Sequence, residues 1–227
     1  MDEYNPIFST NLTDTTYFCC NAFCNRATLY TILKIKIIIE KKELSEIIDC
    51  VEQSINTLVK EFIEYPYLHR VEHSLHARLF EIMKTHAPLK QQVALKDGTV
   101  TQLVHKEWPD NGNSKKRRGN FDICVLTPTL LAKSEREDFV KGKLNAPVVI
   151  EMGLNYNIKH LKKDVEKLKN KKNAYIIHLS RLKSRNEKAV ETLIEAKNLG
   201  IKMAYVLVMA DKIRYKHLND KNIITKN

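Results

Sequence analysis

Two acids stand where acids are costly. Asp122 interrupts the apolar run from Phe121 to Leu126, and Glu151 closes the run Val148-Val149-Ile150. Carboxylates are disfavoured in strands and are rarely buried without a partner. If the two strands are neighbours, both acids face each other near one end of a sheet. That geometry suits a hard dication such as Mg2+ (or Mn2+), which takes carboxylate oxygens, keeps several waters and bridges to phosphate. Such an ion polarises a phosphoryl oxygen and lowers the pKa of water beside it. A third acid, Glu72, falls at the edge of the apolar face of a predicted helix, where a carboxylate needs a partner. Glu81, on the same helix, points into solvent. Alone, Asp122 or Glu151 reads best as half of a structural ion pair with a Lys or Arg. Together, with Glu72 on a preceding helix, they read best as a site.

The elements that must position these acids follow from periodicity. Residues 42–64 place Leu44, Ile47, Ile48, Val51, Ile55, Leu58, Val59 and Phe62 at steps of three and four, the mark of an amphipathic helix that Pro66 ends. A second helix is predicted from about His69 to His86, with Val71, Leu75, Leu79, Ile82 and Met83 inward. Residues 100–108 and 120–126 read as the strands of a hairpin, joined by a polar turn, 109–119, that contains Asn-Gly. Residues 129–145 read as a short helix or an excursion. Strand 147–154, helix 157–172, strand 174–179, helix 185–199 and strand 202–209 follow, with Gly200 ending the last helix. Short apolar strands alternating with helices imply right-handed crossovers and parallel pairing. The expected fold is a three-layer α/β/α domain with a mixed central sheet, spanning 41–227 behind an extension, 1–40, of uncertain structure.

At this level the sequence resembles the PD-(D/E)XK nuclease superfamily, the restriction-endonuclease-like fold. The resemblance rests on Glu72 in VEHSLHARLF, Asp122 in RRGNFDICVL and Glu151 in APVVIEMGL, set within the element order αβββαβ over residues 69 to about 209. It implies that Asp122 and Glu151 bind the metal, with Glu72 assisting. It also implies a lysine two residues after Glu151, where this chain has Gly153. Positions 151 and 153 face the same way along a strand, so the ammonium that orients the water is missing from its usual place. Related families supply it from another element, and the candidates are Lys106 on the first hairpin strand and Lys162 on the following helix. The helical wheel sends Lys159, Lys163 and Lys167 further outward. Glu107, in HKEWP, is a further acid near the same sheet end that could support the metal ligands; a solvent-facing hairpin residue accounts for it at least as well.

Composition agrees with a polyanionic partner without requiring one. The 227 residues carry 38 Lys+Arg against 27 Asp+Glu, a net charge of +11, the sign expected of a nucleic-acid-binding protein. Lys115, Lys116, Arg117 and Arg118 precede the strand bearing Asp122, where they could hold backbone phosphates; as a bare run they also fit a solvated turn. The resemblance makes DNA the expected substrate ahead of RNA, and many nucleases of the class act as homodimers. A catalytically silent nucleic-acid-binding or assembly module on the same fold is the alternative, and Gly153 is its main support. His69, His73 and His76 read as ordinary helix histidines, since no H-E-x-x-H is present. The five cysteines, at 19, 20, 24, 50 and 124, have neither disulfide nor zinc-finger spacing. They read as thiols of a reducing, cytoplasmic compartment. The apolar stretch 27–39 is broken by Lys34 and Lys36 and is too short to span a membrane.

Overall fold

The computed structural model describes residues 26–110, 119–182, 186–208, 213–216 and 224–226. The chain divides into two compact units, Met1–Ile38 and Ile39–Asn227. The described part of the first unit is helical, and its side chains from Tyr30 to Ile38 are exposed. They belong to helix α1 (Arg26–Glu64), which starts well before the expected residue 42. The whole segment lacks Gly and Pro and is rich in Leu, Ile, Lys and Glu, so nothing in it interrupts helical hydrogen bonding. Among the described residues no helix is long and apolar enough to cross a membrane.

In the second unit the apolar stripe of α1 is buried as its spacing predicts: Ile47, Val51, Ile55, Leu58, Val59 and Phe62 are all in the core. Helix α2 (Glu72–Met83) buries Leu75, His76, Leu79, Ile82 and Met83. Val71, expected inward, is instead the N-cap residue and is 38% exposed. The short helix α3 (Ala87–Lys90) leads into β1 (Gln92–Ala94), which pairs antiparallel with β2 (Val100–Gln102) in a small separate sheet. The strand expected over 100–108 is therefore two strands. The break falls at Leu103, which is fully buried and whose carbonyl accepts from the Leu126 N–H. Its turn into the core carries the chain from one sheet to the other.

The large sheet begins with β3 (Val104–Pro109), β4 (Asn120–Val125) and β5 (Val148–Leu154), an antiparallel meander. Between β4 and β5 run two short helices, α4 (Pro128–Ala132) and α5 (Arg136–Val140). Then α6 (Ile158–Leu168), β6 (Ala174–Ser180), α7 (Asn186–Asn198) and β7 (Lys202–Val208) add two parallel strands. Strands β8 (Ile213–Lys216) and β9 (Ile224–Lys226), which periodicity does not reveal, extend the sheet antiparallel to seven strands in the order β3-β4-β5-β6-β7-β8-β9. The fold is thus mixed α/β around an open, mixed sheet, not a barrel. Strands β5 and β6 lie at its centre and are almost wholly buried, as their continuous apolar composition requires.

Candidate functional site

The acids meet on β4 and β5. The ladder between these strands runs Ile123↔Ile150, Cys124↔Val149, Val125↔Val148. One further step places Asp122 across from Glu151, so both carboxylates belong to the same face of the sheet. Phe121 and Ile123, on the opposite face, are buried. Asp122 Oδ2 accepts from the Met152 N–H at 2.7 Å, which fixes the carboxylate beside β5. Glu151 is 2% exposed. Cys124, two residues past Asp122, is fully buried, and burial pushes its thiol pKa up, so it is a core residue rather than a nucleophile.

Glu72 opens α2. It does not cap its own helix; its Oε2 accepts from the Leu154 N–H at 3.1 Å, and its Oε1 from the Tyr156 hydroxyl at 3.0 Å. Tyr156 also accounts for Gly153. A Cβ at position 153 would meet the Tyr156 ring at 2.2–2.5 Å, so no lysine fits there. Asn155, in the left-handed region at φ 56°, turns the chain after β5 and brings that ring back over the glycine.

The ammonium arrives from α6, and it is that of Lys167. Its Nζ donates to Glu151 Oε1 at 2.6 Å and to the Asn120 carbonyl at 2.9 Å, and it lies 3.9 Å from Asp164 Oδ1. This overturns the outward placement expected for Lys167. Lys106 on β3 and Lys162 on α6 are exposed and make no ion pair among the described residues. A helical wheel does not report how far a long side chain reaches. The Lys167 stem runs past Gly119, where an added Cβ would touch its Cε at 3.7 Å, and its ammonium lies 5.8 Å from the centre of the Phe121 ring. A long flank side chain can thus bend inward and carry its charge to the sheet.

His76, which read as an ordinary helix histidine, joins the site, as does Glu107, the acid expected near this sheet end. His76, one turn after Glu72, is 1% exposed. Its Nε2 lies 3.2 Å from the Met152 carbonyl oxygen, 3.7 Å from Asp122 Oδ2 and 4.0 Å from Glu72 Oε1. Its i+4 spacing from Glu72 was a readable signal; the facing strand was not. Glu107 lies beside Asp122 where the β3–β4 ladder skips a pair, between Lys106↔Ile123 and Trp108↔Phe121. It adopts φ 55°, a conformation costing a non-glycine residue about 1–3 kcal/mol. One ligand atom from each of His76, Glu107 and Asp122 lies within 4.8 Å of the other two.

Among the described residues, acids outnumber cations in this cluster. Burial, and then the Asp122 charge, push the Glu151 carboxyl up to about 9. Burial raises Asp164 to about 7; Lys167 opposes the rise, while Asp122 and Glu72 add to it. Asp122 is raised by burial too, with His76 pulling the other way. Burial alone would lower Lys167, but Glu151 and Asp164 outweigh it and keep the ammonium charged. Near neutral pH the cluster therefore holds protons unless another cation enters. The donor set, carboxylates with an imidazole and a nearby backbone carbonyl, fits a divalent ion.

Of the remaining predicted residues, Lys115, Lys116, Arg117 and Arg118 lie outside the described residues, as do Cys19, Cys20 and Cys24. His69 serves a different cluster, bonding Glu61 at 3.1 Å. Comparison of the chain with protein-family models, with curated proteins and with solved structures finds no match.

Proposed function

We propose that this chain is a divalent-metal-dependent phosphodiesterase acting on nucleic acid, DNA ahead of RNA, on a three-layer restriction-endonuclease-like core. The core elements are α2, β3, β4, β5, α6 and β6. The observation that carries the reading is the 2.6 Å contact between the Lys167 ammonium and Glu151, one step along the sheet from Asp122. An acid pair on adjacent strands with one half-buried ammonium is a set of groups suited to phosphodiester hydrolysis. Asp122 and Glu151 would hold Mg2+ or Mn2+, and Glu72 supports them by fixing the turn after β5. When bound, such an ion neutralises charge on the phosphate and acidifies water beside it.

The chain's own residues then have separate tasks. Lys167 supplies a fixed, half-buried positive charge to the oxygens that gain charge as the phosphorus is attacked. The Asn120 carbonyl and Glu151 hold that ammonium in place, so little reorganisation is needed when substrate arrives. Tyr156 fills the space over Gly153 and ties Glu72 to the strand end. The excess of Lys and Arg gives the field that brings a polyanion to the surface.

The alternative, a silent binding module, leaned on Gly153. With Lys167 at Glu151 the glycine no longer argues for it. The test is hydrolysis of mixed DNA and RNA substrates with Mg2+ or Mn2+ by the wild type and by Asp122→Asn, Glu151→Gln and Lys167→Met. Divalent-dependent cleavage by the wild type, lost in all three variants, is expected. Equal activity in all four proteins removes the assignment, and salt-sensitive binding without any hydrolysis favours the module.

A further inference from the structure

We infer that His76, Glu107 and Asp122 form an imidazole-bearing position for a divalent ion, and that the site therefore takes Mn2+ in preference to Mg2+. The inference deepens the phosphodiesterase reading and rests on it for its catalytic meaning, but ion binding tests it without any turnover.

His76 is the first observation. A core histidine usually has both ring nitrogens satisfied. Here the ring is 1% exposed, Nδ1 has no hydrogen-bond partner, and Nε2 is turned toward the Met152 carbonyl and the Asp122 carboxylate. Apolar packing would accept a leucine at this position on α2 at less desolvation cost. What a leucine cannot offer is a ring nitrogen placed between the Met152 carbonyl and Asp122: in the ion-free protein Nε2–H donates to that carbonyl, and once that proton is given up the nitrogen has a lone pair for an ion.

Glu107 is the second, and it is independent of the first. It holds a left-handed backbone in the middle of β3, it is exposed, and its carboxylate makes no hydrogen bond or ion pair among the described residues. A strained residue with no compensating contact is expected where a ligand completes the arrangement. The β3–β4 ladder skips it, between Lys106↔Ile123 and Trp108↔Phe121, which leaves it beside Asp122.

Distances allow a single ion to be shared. With bonds of about 2.1 Å, adjacent donors on an ion lie about 3 Å apart and opposite ones about 4.2 Å. The three donors fall within 4.8 Å of one another, so a small rotation of Glu107, the exposed member, closes the set. The chemistry then chooses the metal. Mg2+ prefers an all-oxygen shell and dehydrates reluctantly, whereas a site mixing imidazole with carboxylate suits a first-row transition ion. Two carboxylates to one imidazole is the oxygen-rich end of that range, which suits Mn2+.

The experiment is calorimetric titration of the full chain with MnCl2 and with MgCl2, alongside pulsed electron paramagnetic resonance of the Mn2+-loaded protein. Mn2+ is expected to bind at least about tenfold more tightly than Mg2+, with nuclear modulation from a directly bound nitrogen-14. His76→Gln should lose that modulation and most of the preference, and Glu107→Gln should weaken both ions. The resonance measurement needs only the wild type, so a variant that folds poorly does not remove the test. Equal affinity for the two ions with no nitrogen modulation overturns the inference and leaves the phosphodiesterase reading standing on Asp122 and Glu151. No divalent binding by the wild type overturns both.

Discussion

Two charged clusters in the same domain are built from similar residues in different proportions. In the first, Glu61 is met by a whole guanidinium: Arg78 Nε lies 3.0 Å from both carboxylate oxygens and one terminal nitrogen 2.7 Å from Oε2, while His69 adds a bond at 3.1 Å. The Arg78 bonds hold the Glu61 carboxyl below its ordinary 4.5. Glu52 is matched in the same way by Lys202 and the Tyr175 hydroxyl. In the second cluster the charges of Glu72, Asp122 and Asp164 raise the carboxyls of Asp122, Glu151 and Asp164 around them, and Lys167 is the ammonium there among the described residues. The raised acids there have their ionised forms disfavoured. Matched charge is what a fold uses to join elements; unmatched buried acid is a liability that a structural role does not explain, and perturbed groups gather at functional sites.

The sharpest way to break this contrast is to exchange lysine for methionine in the site and in a matched pair outside it. Lys167→Met should lower divalent-dependent cleavage by about 100-fold or more, roughly 3 kcal/mol of transition-state stabilisation. Lys202→Met should leave the rate within about twofold, since its partner Glu52 is part of a separate matched pair outside the site. Steady-state rates on one DNA substrate check both. A drop of similar size in both variants would mean that each lysine merely supports folding.

That prediction also marks where the sequence stops being readable. The order of elements and the acids Asp122 and Glu151 were legible because strand alternation and apolar runs are local signals. Lys167 was not, because a helical wheel reports the direction of a Cα, while a four-carbon stem passing Phe121 and Gly119 decides where the ammonium ends. His76 looked like any helix histidine until the Met152 carbonyl and Asp122 stood opposite it. Glu107 depends on a backbone conformation that no residue type announces. Strands β8 and β9 are four and three residues long, too short for periodicity to register.

Stability should separate the clusters by sign. Glu61→Gln removes a matched acid and leaves Arg78 short of its partner, so the fold should lose about 2 kcal/mol, or about 6 °C in thermal midpoint. Asp164→Asn removes an unmatched one. In the absence of divalent ions it should gain about 1 kcal/mol, or about 3 °C. Calorimetric melts of both variants against the wild type decide the matter. A loss in both would make Asp164 an ordinary structural partner of Lys167.

The smallest effect is the most diagnostic, because pH reads the same contrast without replacing the wild-type side chains. Glu61 has a folded pKa below 4.5, so the unfolded chain binds the extra proton; its contribution is complete above that value and is lost as pH falls through the folded one. Asp164 runs the other way. Its folded pKa, about 7 against an ordinary 3.8, means that the folded protein binds the extra proton across that window. Its contribution is complete below about 4, shrinks as pH rises, and is gone above about 7. The ion-free protein should therefore be more stable at pH 5 than at pH 7, by about 1 kcal/mol or less once water reaching the cluster is allowed for. Glu151, held up to about 9, adds a decline of the same sign over this range, so Asp164→Asn should make the fall shallower without abolishing it and leave the acid limb unchanged, whereas Glu61→Gln should soften the acid limb and leave the decline. Melts at half-unit intervals from pH 3 to pH 8 would show it. Saturating divalent ion should abolish the decline in the wild type, because a cation in the cluster takes over the charge that protons otherwise hold.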